Sequence, residues 1–482
     1  MLTLEEELER KPRYFRTSSE HSPIEQHRQK KIVIITGVTM LVLIIVSLSW
    51  ELPFLLNNNE EEKVNVEVEP PPSTSKEGFY LRAALSADST VCPPIGRRIL
   101  EKGGSAVDAA IAVLFCQGVA DPHRSGIGGG MYMLIYQREK RSAVSIDARE
   151  SAPSLAHADM FQENRNGSFK GGMSIAVPGE LLGLWEAHKR FGVIPWKNWW
   201  NHPYIYPVQE MFTNPNTGEV LKSGDIMKNH RLGKTLRMIA ESGPSCFYNG
   251  SLTTELIADI QRAGGILQPS DLHSYKVRWS EPISNTVLSD GEELVMFTSP
   301  PPSGGVVLTN ILNILKGYNM GPQDNNGTSN QAITLHRIIE AFKFSYAKRS
   351  LLGDPMFVNV TQTVDELLSK THAEAERQKI DDYKTVNDIS FYGSVFSQPE
   401  DSGTTHICVV APNGDAVSAT STINYNFGSG VMSNSTGILL NDEMDDFNLP
   451  SNTNNEETLP FSANFNRLVK DPLINVSCYS YK

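Results

Sequence analysis

The alternation of apolar and polar residues near residue 410 predicts a β-hairpin. Two runs rich in Val, Ile and Thr, 404–411 and 416–424, are separated by the turn-like sequence Pro-Asn-Gly-Asp at 412–415. Asn-Gly is typical of hairpin turns in which both central residues need positive φ. An ordinary Thr-rich hairpin at a sheet edge is one interpretation of this stretch, since Thr is a common strand residue.

The length of the hairpin loop decides which side chains lie beside Thr404. A three-residue loop over 413–415 pairs Thr404 with Asn424 and leaves Thr422 on the same face of the hairpin. A two-residue loop would instead turn Thr404 toward Ile423, because a shift of one residue exchanges the two faces. We expect the three-residue loop.

Helical and strand patterns alternate through the rest of the chain. The sequence Ser-Ala-Val-Asp at 105–108 resembles a capping box and predicts the start of an apolar helix that continues through Cys116. Alternation predicts strands at 131–136 and 142–148. Further apolar periodicity predicts helices at 181–191, at 306–315, and around Leu335, Ile338, Ile339, Phe342 and Tyr346.

An uncharged apolar segment lies near the N-terminus, at residues 32–50. Its length of about 28 Å, at about 1.5 Å per residue, nearly matches a hydrocarbon core of about 30 Å. Basic residues precede the segment and glutamates follow it, which predicts a cytoplasmic N-terminus. We expect a cytoplasmic tail at 1–31, a transmembrane helix at 32–52 and a solvated stalk at 53–77. A cleaved signal peptide is the alternative, although the polar lead is long for one.

The bulk of the chain is therefore expected outside the cell, in a single-pass type II protein of the plasma membrane. Asn-x-Ser/Thr sequences, all of them after the apolar segment, agree with export. The expected glycan sites are Asn166, Asn249, Asn326, Asn359 and Asn434, and a further such sequence begins at Asn475. In an oxidising compartment, Cys92 and Cys116 could close a disulfide loop worth about 3 kcal/mol.

Composition and missing motifs exclude some classes of function. The 482 residues carry a formal net charge of -12 and show no basic stripe interleaved with aromatics, which argues against a nucleic-acid partner. Without Cys-x-x-Cys, His-Glu-x-x-His or Gly-x-Ser-x-Gly, zinc-site and serine-hydrolase chemistry lack support, and we expect no metal and no cofactor. The glycine-rich segment 125–130 lacks the Lys-Ser/Thr of a phosphate loop, and tight backbone packing is its expected role.

Three groups of residues are candidates for chemistry. If the bond between Gly403 and Thr404 is cut, Thr404 gains a free α-amine, with a pKa near about 7.7–8.0, beside its own hydroxyl. Arg149 follows a predicted strand and is either a surface charge or a clamp for a substrate carboxylate. The acidic run at 441–446 is either a solvated loop or a socket for a ligand ammonium, with Asn424 helping.

These motifs resemble the gamma-glutamyltransferase family of N-terminal-nucleophile hydrolases. The resemblance runs from about Gly78 to Leu473 and implies an α/β fold, a layered αββα sandwich. It also implies a disulfide between Cys92 and Cys116. The resemblance is densest at 125–130, 147–153, 176–180, 336–355, 403–424 and 441–447.

The resemblance implies a precursor that cleaves itself between Gly403 and Thr404. The products would be a large subunit, 78–403, and a small subunit, 404–482. Thr404 would attack glutathione or another gamma-glutamyl compound and form an acyl-enzyme. Water, an amino acid or a dipeptide would then accept the gamma-glutamyl group.

The family's site residues correspond to residues of this chain. The resemblance implies two catalytic residues, the nucleophile Thr404 and Thr422, which would orient the Thr404 hydroxyl. Arg149 would hold the substrate α-carboxylate. The substrate α-ammonium would be bound by Asn424, Glu443 and Asp446.

The chain departs from the family pattern in two places. After 472–473 the family has a Ser-Ser pair and later a Gly-Gly oxyanion turn, whereas this chain reads Ile-Asn at 474–475 and stops at Lys482. The Trp-rich run 196–203 replaces a longer helical stretch. These departures predict a truncated family member, and they leave a second interpretation open: a catalytically impaired chain that acts as a binding protein.

Overall fold

The structure is a computed structural model that describes residues 79–157, 159–197, 227–289, 292–393 and 403–447. The described residues all belong to one unit of the chain, Ser73–Lys482. The predicted tail, transmembrane helix and stalk lie outside them, as do most of the Trp-rich run and the C-terminal segment with its Ile-Asn pair. No helix within the described ranges is long and apolar enough to cross a membrane.

The described residues form strands, α-helices and short 3-10 helices. The strands are β1 (Ala84–Ala87), β2 (Gly130–Gln137), β3 (Ser142–Ala148), β4 (Arg278–Ser280), β5 (Ile283–Ser289), β6 (Glu292–Thr298), β7 (Thr404–Val410) and β8 (Ala416–Thr422). The α-helices are α1 (Pro93–Glu101), α2 (Ala106–Ala120), α3 (Glu180–Phe191), α4 (His230–Ser242), α5 (Ser245–Tyr248), α6 (Ser251–Arg262), α7 (Pro269–Ser274), α8 (Gly305–Lys316), α9 (Thr328–Arg349), α10 (Thr361–Leu368) and α11 (Lys370–Arg377). The 3-10 helices are Arg165–Ser168, Gly172–Ser174, Pro322–Asn325, Ile389–Tyr392 and Glu443–Asp446.

Six strands form one antiparallel sheet in the order β1-β7-β8-β2-β3-β4. Helices α2 and α3 pack on one face of this sheet, against β7, β8, β2 and β3. Helix α2 begins at the predicted capping box, since Ser105 Oγ accepts from Asp108 N at 3.0 Å and Asp108 Oδ2 accepts from Ser105 N at 2.9 Å. A disulfide between Cys92 and Cys116, the two cysteines that the resemblance paired, joins the start of α1 to α2.

The hairpin β5–β6 lies on the opposite face of the central sheet. Tyr136 of β2 and Phe297 of β6 pack with ring centroids 5.8 Å apart, and Ser145 Oγ of β3 donates to Ser299 Oγ at 2.7 Å. Helix α8 covers β5 and packs against α9. The described residues therefore stack in the order helix, sheet, sheet, helix, as the expected sandwich requires.

The hairpin β7–β8 forms, but its register differs from the prediction. Thr404 pairs with Thr422, and the three-residue loop is 412–414 instead of 413–415. The expectation that Thr404 pairs with Asn424 was therefore wrong. Thr422 does lie on the same face as Thr404, because a shift of two residues preserves the faces.

Local turn chemistry explains this register. Gly414 N donates to Ala411 O at 2.9 Å, and Ala411 N donates to Asp415 O at 2.9 Å, so Ala411 and Asp415 close the loop. Gly414 has a φ of 85°, whereas Asn413 keeps a negative φ. The turn is therefore a type I turn followed by a left-handed glycine, and not the turn with two positive φ values that Asn-Gly predicted. Pro412 has no N–H to donate and fits inside the loop.

Helix α9 forms where helical periodicity predicted it, but it buries a different face. The buried apolar side chains include Ala341 and Phe344, which pack toward α8 and the 3-10 helix Ile389–Tyr392. Four of the five apolar residues that marked the helix are between 42% and 58% exposed: Leu335, Ile339, Phe342 and Tyr346.

Candidate active site

Four strand ends of the central sheet meet at one edge. Strand β7 begins at Thr404, β8 ends at its partner Thr422, and β2 begins at Gly130, which pairs with Thr422. Strand β3 ends at Ala148 and delivers Arg149 to the same edge. Three interstrand spacings of about 4.8 Å place the backbones of Thr404 and Arg149 roughly 14 Å apart. An elongated small molecule with polar ends could therefore contact both side chains.

Thr404 and Thr422 form a hydrogen-bonded hydroxyl pair. Thr404 Oγ1 donates to Thr422 Oγ1 at 3.3 Å, and Thr422 Oγ1 donates to the Gly403 carbonyl oxygen at 2.8 Å. Only glycine fits at position 403, because φ is 110° and a Cβ would lie 2.4 Å from Asn424 O. The predicted nucleophile thus lies beside a hydroxyl that polarises the carbonyl of the predicted cleavage bond.

Asn424 is held in a left-handed conformation with a φ of 73°. Its backbone N–H donates to Thr422 Oγ1 at 2.9 Å, and its Nδ2 donates to Asp442 O at 3.2 Å. The residue is buried, and its Oδ1 has no hydrogen-bond partner among the described residues. Because a buried acceptor without a donor costs about 1–3 kcal/mol, this oxygen is suited to receive a donor from a ligand.

Arg149 is buried among carboxylates and is not the surface charge that was one of its two interpretations. Its guanidinium contacts Glu443, lies 3.1 Å from Asp446 Oδ2, and has Nε 3.6 Å from Glu150 Oε2. Burial alone would lower the pKa of Arg149, but the neighbouring carboxylates outweigh burial and raise it. The guanidinium therefore stays charged, as a carboxylate clamp must.

The acidic run separates into two pairs of side chains. Glu443 and Asp446 contact Arg149, and Glu443 is fully buried, so the run is not a solvated loop. Asp445 instead accepts from a serine hydroxyl, and Asp442 accepts from a backbone N–H. Two of the four carboxylates therefore reach the guanidinium, and they are the two that the family resemblance had selected.

Asn441, for which no role was predicted, ties the acidic run to the glycine-rich segment. Its Nδ2 donates to Gly128 O at 2.7 Å and to Ala176 O at 3.0 Å. Its Oδ1 accepts from Ala176 N and Glu443 N, both at 3.0 Å. Each hydrogen-bonding position of this amide is used. No periodicity or charge pattern could have revealed this role, because the partners come from three separate segments.

The glycine-rich segment packs its backbone tightly, as predicted. A Cβ at Gly129 would lie 2.0 Å from Thr422 O, and a Cβ at Gly130 would lie 2.2 Å from Glu150 Oε2. Gly129 therefore brings the segment against the end of β8. Gly130 leaves room for the carboxylate that flanks Arg149.

Glu180, which sequence reasoning left without a role, is a buried carboxyl beneath the site. Its Oε2 accepts from Ser421 Oγ at 2.5 Å, and Ser421 precedes Thr422 on β8. Burial raises the pKa of Glu180 to about 8, although the Ser421 hydrogen bond opposes this shift. Glu180 is therefore mostly protonated at neutral pH and supports β8 without adding a buried charge.

The residue that follows Thr404 is fixed by two distant side chains. Gln117 Nε2 donates to Thr405 Oγ1 at 2.6 Å, and Thr405 Oγ1 donates to Asp88 Oδ2 at 2.9 Å. Gln117 follows Cys116, so the disulfide lies directly beside this contact. Sequence reasoning missed both partners, because they lie 288 and 317 residues from Thr405 in the chain.

The arrangement is suited to acyl transfer. The Thr404 hydroxyl would gain an adjacent amine if the Gly403–Thr404 bond were cut. The Arg149 guanidinium and two carboxylates lie at the same edge of the sheet. No group of three or more His, Cys, Asp or Glu side chains in the described ranges could hold a metal ion. The fold and the position of Thr404 at the start of β7 place the chain in the structural class of the N-terminal-nucleophile hydrolases.

Comparison with known proteins agrees with this class. The family model for gamma-glutamyltranspeptidase matches residues 92–203 and 200–477. The chain therefore belongs to the gamma-glutamyltranspeptidase family, which confirms the resemblance drawn from the sequence.

Individual relatives give the same result. Glutathione hydrolase 3 of Arabidopsis thaliana is 39% identical over 82% of this chain and 64% of its own length, so the chain spans less than two thirds of that relative. Scoloptoxin SSD14 of Scolopendra dehaani is 40% identical over 82% of this chain and 72% of its own. The crystal structure of Helicobacter pylori gamma-glutamyltranspeptidase matches with a TM-score of 0.56 and 27% identity, over 66% of this chain and 95% of that one.

Proposed function

We propose that this chain cuts itself between Gly403 and Thr404 and then transfers gamma-glutamyl groups. The donors would be glutathione and related gamma-glutamyl compounds, and the acceptors would be water, amino acids or dipeptides. The observation that carries the proposal is the chain of hydrogen bonds from Thr404 through Thr422 to the Gly403 carbonyl. The name of the Arabidopsis relative, a glutathione hydrolase, supports the choice of donor.

Self-cleavage would begin at the Gly403 carbonyl carbon. The Thr404 hydroxyl oxygen attacks this carbon, an ester forms as the peptide C–N bond breaks, and the hydroxyl proton passes to the released α-amine. Water then hydrolyses the ester, which leaves a carboxylate on Gly403 and frees the Thr404 hydroxyl. Thr422 donates to the carbonyl oxygen, where negative charge develops during the attack, and this is the position that an oxyanion donor needs.

In turnover, the freed α-amine of Thr404 would act as the base, since an ordinary α-amine has a pKa of about 7.7–8.0. It accepts the hydroxyl proton as the Thr404 oxygen attacks the γ-carbonyl of the donor. The Thr404 α-ammonium passes this proton to the leaving amine, which departs, and the gamma-glutamyl group remains on Thr404 as an ester. Water or an acceptor amine then attacks that ester. Thr422 would keep the hydroxyl oriented through both steps.

The charges at the sheet edge match the head group of an amino acid. The donor's α-carboxylate would bind Arg149, and its α-ammonium would bind Glu443, Asp446 and Asn424. The guanidinium and the two carboxylates contact each other in the structure, so a zwitterion that inserts between them replaces one set of ion pairs by another. The Asn424 Oδ1 would accept a hydrogen bond from the ammonium.

Electrophoresis of the purified full-length chain under denaturing conditions tests self-cleavage. We expect two fragments split between residues 403 and 404, and a single uncut chain for Thr404→Ala. Thr404→Ser, which keeps a hydroxyl, is the matched control and should still cut. Release of p-nitroaniline from L-γ-glutamyl-p-nitroanilide then tests turnover.

The same preparations separate the two interpretations left open by the sequence. An uncut wild-type chain that binds no glutathione would refute the proposal. An uncut chain that still binds glutathione, measured by calorimetry, would support the alternative of a family member that acts as a binding protein.

We also propose that the predicted helix at 32–52 anchors the chain in the plasma membrane as a type II protein. The charge distribution around the apolar segment supports this orientation. All five predicted glycan asparagines are exposed, as glycosylation requires: Asn166, Asn249, Asn326, Asn359 and Asn434. In transfected cells the chain should stay in the membrane pellet after alkaline carbonate extraction and should lose mass on peptide-N-glycosidase treatment. Recovery in the carbonate supernatant would contradict the anchor.

A further inference from the structure

Asp442 is a fully buried carboxyl residue immediately before the 3-10 helix Glu443–Asp446. It contacts three consecutive residues of the loop that follows β8. Its N–H donates to Ile423 O at 3.2 Å, its carbonyl accepts from Asn424 Nδ2 at 3.2 Å, and its Oδ1 accepts from Tyr425 N at 3.1 Å. Asp442 thus holds residues 423–425 of the neighbouring loop through hydrogen bonds.

These contacts fix the conformation of Asn424. A φ of 73° is unfavourable for a residue other than glycine and persists only where the surroundings hold it. The N–H of Asn424 donates to Thr422 Oγ1 at 2.9 Å, and the next N–H, that of Tyr425, donates to the Asp442 carboxylate. Because both N–H groups are held, the peptide planes on either side of Asn424 cannot rotate freely. The bond from Asn424 Nδ2 to Asp442 O then fixes the direction of the amide and of its Oδ1.

We propose that Asp442 is a positioning residue for the gamma-glutamyl donor, which holds Asn424 so that its amide oxygen receives the donor's α-ammonium. This inference rests on the function proposed above for the same site. Asp442 does not touch the donor. Its carbonyl binds Asn424 Nδ2 directly, and its carboxylate, the part that a side-chain variant changes, acts on Asn424 through the Tyr425 N–H. The bond between the Thr404 and Thr422 hydroxyls involves neither Asp442 nor Tyr425, so a change at Asp442 should alter donor binding more than the chemical step.

The surroundings of Asp442 make the strength of its hold on this loop depend on pH. Burial raises the pKa of Asp442 to about 7, the Tyr425 N–H and the Lys170 ammonium oppose this shift, and the Asp445 carboxylate adds to it. The neighbouring Glu443 has its charge balanced by the buried guanidinium. An ionised carboxylate accepts a stronger hydrogen bond than a neutral carboxyl does. The loop is therefore held more firmly above about pH 7 than below it.

Steady-state kinetics with L-γ-glutamyl-p-nitroanilide, from about pH 5.5 to about pH 8.5, test this role. In the wild type, KM for the donor should fall as the pH rises through about 7. Asp442→Asn keeps an acceptor but cannot ionise, so its KM should stay near the wild-type low-pH value throughout. Asp442→Ala should raise KM about tenfold at pH 8, as loss of one charge-assisted hydrogen bond predicts, with kcat changed less than about threefold.

A matched control is Asp259→Asn, which alters another buried carboxylate that organises a loop, through Ser433 Oγ at 2.5 Å and Ser435 N at 2.8 Å. This variant should lose stability and keep the wild-type KM. The inference is overturned if Asp442→Asn retains the wild-type change of KM with pH, or if the control shifts KM as much as Asp442→Ala. If Asp442→Ala does not fold, Asp442→Asn decides alone. A wild type that neither turns over nor binds glutathione would refute the proposed function itself, and this inference with it.

Discussion

The Thr422 hydroxyl has three hydrogen-bond partners, Thr404, Gly403 and Asn424, and the first two serve two different steps. In the uncut chain it donates to the Gly403 carbonyl, which is the group under attack during self-cleavage. It also accepts from Thr404, a contact that can persist after the Gly403 carbonyl has left. The family resemblance selected Thr422 from the sequence, but the direct cross-strand pair depends on the hairpin register. A single hydroxyl is therefore expected to influence both maturation and turnover.

Replacing Thr422 by Ala should slow self-cleavage by about 10²–10³-fold, because the scissile carbonyl loses its hydrogen-bond donor. A time course of fragment appearance on denaturing gels measures this rate. Thr422→Ser restores the hydroxyl and should recover most of it. Wild-type cleavage in the Ala variant would show that another group stabilises the oxyanion.

Replacing Glu180 by Gln should change how stability depends on pH. The pKa of Glu180 is about 8 in the folded chain against an ordinary 4.5, so the folded state keeps a proton that the unfolded state releases. The stabilisation is complete below about pH 4.5 and is lost as the pH rises toward 8, at up to about 1.4 kcal/mol per pH unit. Glu180→Gln should remove this slope in urea unfolding between about pH 5 and 8. Glu186→Gln, on the same helix, should retain the slope, and equal slopes in both variants would contradict the argument.

At the scale of secondary-structure elements, close backbone contacts bring the site residues together. The glycine-rich segment reaches the end of β8 only because Gly129 has no side chain, and Asn441 then clamps the acidic run to the same segment. Local patterns identified these elements, as the capping box of α2 and the two runs of the hairpin show. They did not identify the turn, where Pro412 and Gly414 moved the loop by one residue. They also did not give the buried face of α9, which its partners α8 and Ile389–Tyr392 select.

Replacing Gly129 by Ala should disrupt the site through this contact. The added Cβ would lie 2.0 Å from Thr422 O, so β8 or the glycine-rich segment must move. We expect little or no self-cleavage and a reduced melting temperature. Gly264→Ala is the control, because position 264 has a φ of 87° with open space around it, and the substitution should cost only about 1–2 kcal/mol. Normal cleavage in Gly129→Ala would contradict the proposed packing.

At the scale of the whole molecule, residues far apart in the chain must meet at one sheet edge. The disulfide between Cys92 and Cys116 lies beside Gln117, which holds Thr405 next to the nucleophile. The disulfide therefore links the packing of α1 and α2 to the position of Thr405 at the start of β7. The family resemblance implied this pairing, but the sequence could not show that the disulfide supports the site.

Replacing both Cys92 and Cys116 by Ser should lower the free energy of unfolding by about 3 kcal/mol, the value expected for a loop of this length. Urea unfolding followed by circular dichroism measures the change. Cys246→Ser, at a buried cysteine that forms no disulfide, is the control and should cost less. An equal loss in both variants would show that packing, and not the cross-link, accounts for the effect.

The sequence by itself determined most of the local elements, because caps and periodicity act over a few neighbouring positions. It also determined the family, through motifs spread along most of the chain. Only the tertiary structure decided that Glu443 and Asp446 face Arg149, that Asn424 has a buried acceptor without a partner, and that Asp442 and Asn441 hold the loops around them. These arrangements depend on hydrogen bonds and ion pairs between distant segments, and the energy of such contacts exists only once the sheet and its layers have packed.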